Sequence, residues 1–228
     1  MYCLDFDGVI VNSVDECCLT SYNSYFGSLH LDIKFLPQSF VDYFYNCRYL
    51  IGPAKYFYLL CKFYEKDKIL TLPDIKRSQN MESDLLKFEN SFYENRKKLK
   101  TNLNRWCGYH SIYDEFKCFL KSDTEKFIII TNKDKTSVKQ LALHFSFDNR
   151  IIEVFSKEDS LDKRILMQKI KIKYNMYASF IFVDDNRENI IQLNSIKNVE
   201  CYQPLWGYIN QRSKTEDFQI QAFSEIPL

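Results

Sequence analysis

Apolar residues gather in five short runs, at positions 2–6, 126–131, 150–155, 179–184 and 198–202. Runs of four to six residues bounded by polar positions suit strands buried on both faces. The last four are separated by stretches of helical character at 133–144, 160–174 and 188–196. In the second of these, Leu161, Ile165, Leu166 and Ile170 recur at helical spacing. Strands alternating with helices predict βαβ units, hence an α/β fold with a Rossmann-like parallel sheet.

The interval between the first two runs breaks the alternation. It spans more than a hundred residues without a clear strand, and positions 14–26, 40–49, 53–63 and 83–99 read as helices. Pro53 suits a first helical turn, and Pro73-Asp74 marks a break. The expected division is a sheet domain of residues 1–13 and 107–228 with an all-helical insertion at 14–106. A further helix at 111–120 would lead into the second strand, and the pattern assigns nothing to the tail at 204–228. The aromatic residues of the insertion, among them Tyr22, Phe40, Phe44 and Phe57, read as the packing of a small helical bundle. The run Glu94-Asn95-Arg96-Lys97-Lys98-Leu99-Lys100 reads as a solvated helix end.

Composition narrows the partners. Of 228 residues, 46% are hydrophobic and 27% charged, the balance of a globular chain. A net charge of +1 leaves no electrostatic footprint for nucleic acid or an anionic membrane. The run Phe127–Ile130 is far shorter than the roughly 20 residues of a membrane span. Eight cysteines occur without a C-x-x-C pair, and His30, His110 and His144 are scattered, so zinc has weak support. Met1-Tyr2-Cys3-Leu4-Asp5 has no basic or long apolar leader character, and the expectation is a cytoplasmic protein with reduced thiols.

Chemistry concentrates at the ends of the runs. Asp5-Phe6-Asp7-Gly8 places two carboxylates two residues apart where the first strand ends, and Gly8 lets the chain turn. Such acids repel unless a cation or proton intervenes, which makes a magnesium site or a solvated acidic turn the two readings. The fourth run ends in Asp184-Asp185, at the edge where open α/β sheets bind ligands. The second ends in Thr131-Asn132-Lys133, where a hydroxyl and a helix N-terminus suit a phosphate, or simply cap the helix.

These pieces in this order resemble the haloacid dehalogenase superfamily, in particular its phosphoglycolate-phosphatase-like members with a helical cap. The resemblance implies that Asp5, in Asp5-Phe6-Asp7-Gly8-Val9, is a nucleophile forming an aspartyl-phosphate, and that Asp7 is the general acid and base. It implies phosphate binding by Thr131 with Asn132 and Gly8 beside it. It also implies Mg2+ held by Asp5, the Asp7 main-chain carbonyl and Asp185, with Asp184 in support. The family's lysine falls on Lys163 or Lys157, and Lys163, at the start of a helix, is the better match. The insertion would be the cap, where Arg48 and Lys55 are candidates for a second anionic group on the substrate. The expected activity is hydrolysis of a small phosphorylated metabolite. A phosphomutase, or a binding module that has lost its activity, would use the same scaffold.

Overall fold

The computed structural model describes residues 1–122, 126–210 and 218–226. The chain divides into two compact units, residues 1–12 with 111–228 and residues 13–110.

Among the described residues the first unit carries eight strands: β1 (Tyr2–Leu4), β2 (Val11–Asn12), β3 (Ser111–Ile112), β4 (Phe127–Ile130), β5 (Ile151–Phe155), β6 (Phe180–Val183), β7 (Val199–Pro204) and β8 (Gln219–Ile220). Six form one sheet in the order β5-β4-β1-β6-β7-β8, with every neighbouring pair parallel. The five apolar runs are its first five strands in chain order, and β1, only three residues long, lies in the middle. From β1 the chain steps out through β4 to β5, then returns to the other side of β1 with β6. The strand order therefore reverses at the β1/β6 junction, where ligands of such sheets collect.

Four helices flank the sheet: α7 (Asp114–Ser122), α8 (Lys135–His144), α9 (Lys163–Lys173) and α10 (Arg187–Leu193). Side chains of successive strand residues point to opposite faces. Cys3, Ile128 and Ile130 accordingly join Leu166, Met167, Ile170, Ile190 and Leu193 in one core. Tyr2 and Phe127 point the other way, onto Phe119 and Phe116 of α7. Covering both faces removes the strands' apolar side chains from water, at roughly 25 cal/mol per Å². Seven of the eight cysteines are buried, and burial pushes the thiols of Cys3 and Cys201 up to about 12, so they act as small core hydrophobes.

Short elements escaped the hydrophobic pattern. β2 and β3 pair antiparallel, Val11 with Ile112 and Asn12 with Ser111, and two-residue strands carry no periodicity to read. Ser111 and Ile112, expected in a helix, are in β3, and α7 starts only at Asp114. β8 belongs to the unassigned tail, of which residues 211–217 and 227–228 lie outside the described residues.

The second unit holds α1 (Val14–Phe26), α2 (Gln38–Cys47), α3 (Phe57–Glu65), α4 (Leu72–Arg77), α5 (Glu82–Leu99) and α6 (Leu103–Cys107). Phe40, Phe44, Phe57 and Phe92 are interior packing, with Phe44 stacked on Phe57 at a centroid distance of 5.3 Å and Phe57 on Phe92 at 5.6 Å, whereas Phe26, Phe35 and Tyr45 are exposed. The charge run at 94–100 is not uniformly solvated. Arg96 is 5% exposed and makes a two-pronged pair with the fully buried Glu16, Nε to Oε1 at 2.8 Å and Nη2 to Oε2 at 2.7 Å. Thr20 Oγ1 and Trp106 Nε1 also donate to Glu16 Oε1. Burial opposes the Arg96 charge, but the Glu16 carboxylate outweighs it and holds the guanidinium well above its ordinary pKa. A charged residue on a helix became core because its partner, eighty positions away, cannot be seen in a local window.

Removing one partner of a buried pair strands the other charge. Arg96→Met should therefore cost about 3–5 kcal/mol in urea denaturation, against less than about 0.5 kcal/mol for the exposed Lys97→Met. The double variant Glu16→Met/Arg96→Met should stay less stable than the parent, since Thr20 and Trp106 lose their acceptor.

Candidate active site

The sheet places its acids before any side chain is considered. Asp5 follows β1 directly, and its amide continues the ladder by donating to Val183 O at 2.8 Å. Asp184 and Asp185 follow β6, with the Asp184 amide donating to Tyr202 O at 3.1 Å. Both strand ends thus open at the same edge, at the reversal of strand order. Carboxylate oxygens of Asp5, Asp184 and Asp185 all lie within 4.8 Å of one another.

Lys163, the first residue of α9, reaches into this cluster. Its Nζ is 2.7 Å from Asp5 Oδ2 and 2.7 Å from Asp184 Oδ2, and the residue is 3% exposed. Burial works against its charge, but Asp184 and Asp5 outweigh burial and raise its pKa. Lys157 lies on the turn after β5, whereas Lys163 pairs with Asp5 and Asp184. Asp184 is a fixed anchor: Oδ2 also accepts from Asn189 Nδ2 at 2.9 Å, and Oδ1 accepts from the Asn186 amide at 2.8 Å. Two donors occupy Asp184 Oδ2, so Asp184 is better placed to hold Lys163 than to offer that oxygen to a metal.

Asp5 itself is strained electrostatically. Its Oδ1 accepts from the Phe6 amide at 2.7 Å, and Lys163 favours its charge. Burial nevertheless dominates, Asp184 adds to it, and the carboxyl is pushed up to about 7.

Asp7 has a different neighbourhood. The turn after Asp5 is closed by the Gly8 amide on Val11 O and the Ile10 amide on Phe6 O, and Gly8 adopts φ +87°, where a side chain would be strained. Across it, Lys133 Nζ sits 3.1 Å from Asp7 Oδ1 and 3.4 Å from Oδ2. Lys133 is 4% exposed and was read from sequence only as the start of a helix. That helix, α8, starts two residues later, at Lys135, and is capped by Asp134, whose Oδ1 accepts from the Ser137 amide at 2.8 Å. The capping role open to Thr131 or Asn132 is thereby taken by Asp134. Thr131 follows β4, next to β1 in the sheet, with its Oγ1 accepting from the Lys133 amide at 3.1 Å and its hydroxyl proton left to donate. Asn132 is half-buried beside it.

Gly8 serves a purpose the sequence did not show. A Cβ there would run into the Asp185 carboxyl group, so the missing side chain is the room in which Asp185 lies. Arg48 lies in the helical unit, where its Nη1 donates to Ile51 O at 2.6 Å and its guanidinium stands 5.3 Å from the Phe57 ring centre. Lys55, in the same unit, pairs with Glu82 at 2.9 Å.

Four carboxyl groups, of Asp5, Asp7, Asp184 and Asp185, face two ammonium groups, around oxygen donors alone. That donor set and charge fit a hard divalent cation such as Mg2+ better than zinc, because no thiol or imidazole joins the cluster among the described residues.

No family model matches the sequence, and no curated protein does so either. Solved structures do. A predicted phosphoglycolate phosphatase from Haemophilus somnus aligns over 92% of this chain and 86% of its own, at 18% identity and a TM-score of 0.62. A haloacid dehalogenase-like family hydrolase from Streptococcus pneumoniae aligns over 92% and 86%, at 13% identity and 0.55. Protein Tyrosine Kinase A of Mycobacterium tuberculosis aligns over 98% and 94%, at 12% identity and 0.62. Taken with the acids at the β1/β6 junction, these likenesses establish that the chain has the α/β fold of the haloacid dehalogenase-like phosphatases and hydrolases.

Proposed function

We propose that the protein is a Mg2+-dependent phosphatase that hydrolyses a small phosphorylated metabolite in the cytoplasm, through an aspartyl-phosphate on Asp5. The observation that carries this reading is Asp5 at the reversal of strand order, paired with Lys163 at 2.7 Å and clustered with Asp184 and Asp185.

In the first step an Asp5 carboxylate oxygen bonds to phosphorus, the ester P–O bond breaks, and Asp7 gives its proton to the departing alkoxide. In the second, Asp7 takes a proton from water as the water oxygen bonds to phosphorus. The bond from phosphorus to Asp5 then breaks, releasing inorganic phosphate and restoring both acids. Thr131 donates its hydroxyl to a phosphoryl oxygen, and Lys163 favours the ionised form of Asp5 and aims it. Lys133, paired with Asp7, brings a second ammonium group toward the phosphate. The Mg2+, held by Asp5, Asp185 and the Asp7 carbonyl, would offset the charge of nucleophile and phosphate alike.

The test is turnover of p-nitrophenyl phosphate. Release of p-nitrophenol should require Mg2+, stop with chelator and vanish in Asp5→Asn. Turnover retained by that variant would rule out the nucleophile.

Asp7→Asn separates the acid role from binding. An alkyl phosphate, whose leaving group needs the proton, should lose about 10²–10⁴-fold in rate. p-Nitrophenyl phosphate, whose leaving group departs without help, should lose clearly less in the rate of enzyme phosphorylation measured by rapid quench. Equal losses on the two substrates would assign Asp7 elsewhere.

A further inference from the structure

Asp185 offers a carboxylate to the cluster from a loop, and the residues that hold it in place come from a distant part of the chain. From the end of β7 the segment Gln203–Tyr208 runs past Asp185. Gln203, 4% exposed, donates from Nε2 to Asp185 O at 2.8 Å, and its own Oε1 accepts from Gln219 Nε2 of β8 at 2.8 Å. The Tyr208 amide donates to Asp185 Oδ2 at 2.9 Å. Trp206 Nε1 donates to Val9 O at 3.1 Å, and the Tyr208 hydroxyl donates to Asn12 Oδ1 at 3.0 Å. The same short segment therefore grips both the Asp185 loop and the turn that follows Asp5.

Gly207 is the tightest point. A Cβ there would collide with the Gly8 carbonyl oxygen and stand 2.6 Å from the Asp185 Cβ. Backbone and a short side chain cannot yield as a flexible side-chain tip could. Gly8 and Gly207 together leave a slot only as wide as the Asp185 side chain.

From this arrangement we infer that the Gln203–Tyr208 segment is a positioning element for the metal site, with Gly207 as the residue that sets the spacing of Asp185 from the Asp5 turn. The inference rests on the reading of the cluster as a Mg2+ site. Groups that orient metal ligands are commonly worth about 10–100-fold in metal affinity. Replacing Gly207 should therefore weaken Mg2+ binding while leaving substrate recognition, at saturating Mg2+, as it was.

The experiment titrates Mg2+ into the full chain by calorimetry and follows Mg2+-dependent melting for wild type, Gly207→Ala and Trp206→Phe. KM for p-nitrophenyl phosphate is measured alongside at saturating Mg2+. Gly207→Ala should require about 10–100-fold more Mg2+ with KM within about two-fold of wild type. A variant that binds Mg2+ as wild type does overturns the inference, as does one whose loss lies in KM alone. Should Gly207→Ala fail to fold, Trp206→Phe decides: it keeps the apolar bulk, loses one hydrogen bond and should require roughly five-fold more Mg2+. Unchanged Mg2+ affinity in that variant overturns the inference. Wild type that binds no Mg2+ sinks the phosphatase reading itself, a result distinct from any difference between the variants.

Discussion

One ammonium ion held between two carboxylates, away from water, is the arrangement on which the site depends. Lys163 bridges Asp5 and Asp184 at 2.7 Å on each side, with all three residues buried. Desolvating three charges is costly, and their attraction repays it only with good geometry and further hydrogen bonds. Asn189 and the Asn186 amide provide those bonds on Asp184, and the Phe6 amide provides one on Asp5. The balance is still incomplete, because burial leaves the Asp5 carboxyl near 7. A site that needs Asp5 ionised therefore has to recruit more positive charge than Lys163 brings. The adjoining Asp185, placed over Gly8, extends the same cluster toward a cation.

The second acid of the motif lies two residues away and lives by different rules. Asp7 is paired with Lys133 and is more open to solvent, with 18% of its side chain exposed against 12% for Asp5. Two carboxylates with separate lysines can differ in charge state and so divide the work of nucleophile and proton carrier. The turn that carries Asp7 is closed on Val11 O and Phe6 O, and only a residue tolerant of positive φ can stand at Gly8.

Much of this could be read before any coordinates. Five apolar runs became five parallel strands, because strands covered on both faces must be apolar throughout. The acids were legible because a carboxylate at the end of such a run has no packing reason to be there. What escaped shares a physical cause: its meaning lies in contacts between residues far apart in sequence. Arg96 looked solvated until Glu16 met it, and Lys133 looked like helix until Asp7 did. β2 and β3 were too short to show a period, and the 204–210 segment has no pattern at all, since its residues answer to Asp185, Val9 and Asn12.

Fold and reaction are separate conclusions here. The structures that superpose on this chain include one named a phosphatase and one named a tyrosine kinase, at similar TM-scores and similarly low identity. A shared sheet can host both, because the fold supplies only the edge at which strand ends converge. What discriminates is the chemistry placed at that edge. A group acting on phosphate monoesters needs a nucleophile, a proton carrier and positive charge within reach of one phosphorus. In the proposed reading, Asp5, Asp7, Lys163 and Lys133 supply such a set from three separate stretches of the sheet unit. Burial raises the cost of a charge on Asp5, and Lys163 offsets it only in part, so the cluster as a whole stays short of positive charge.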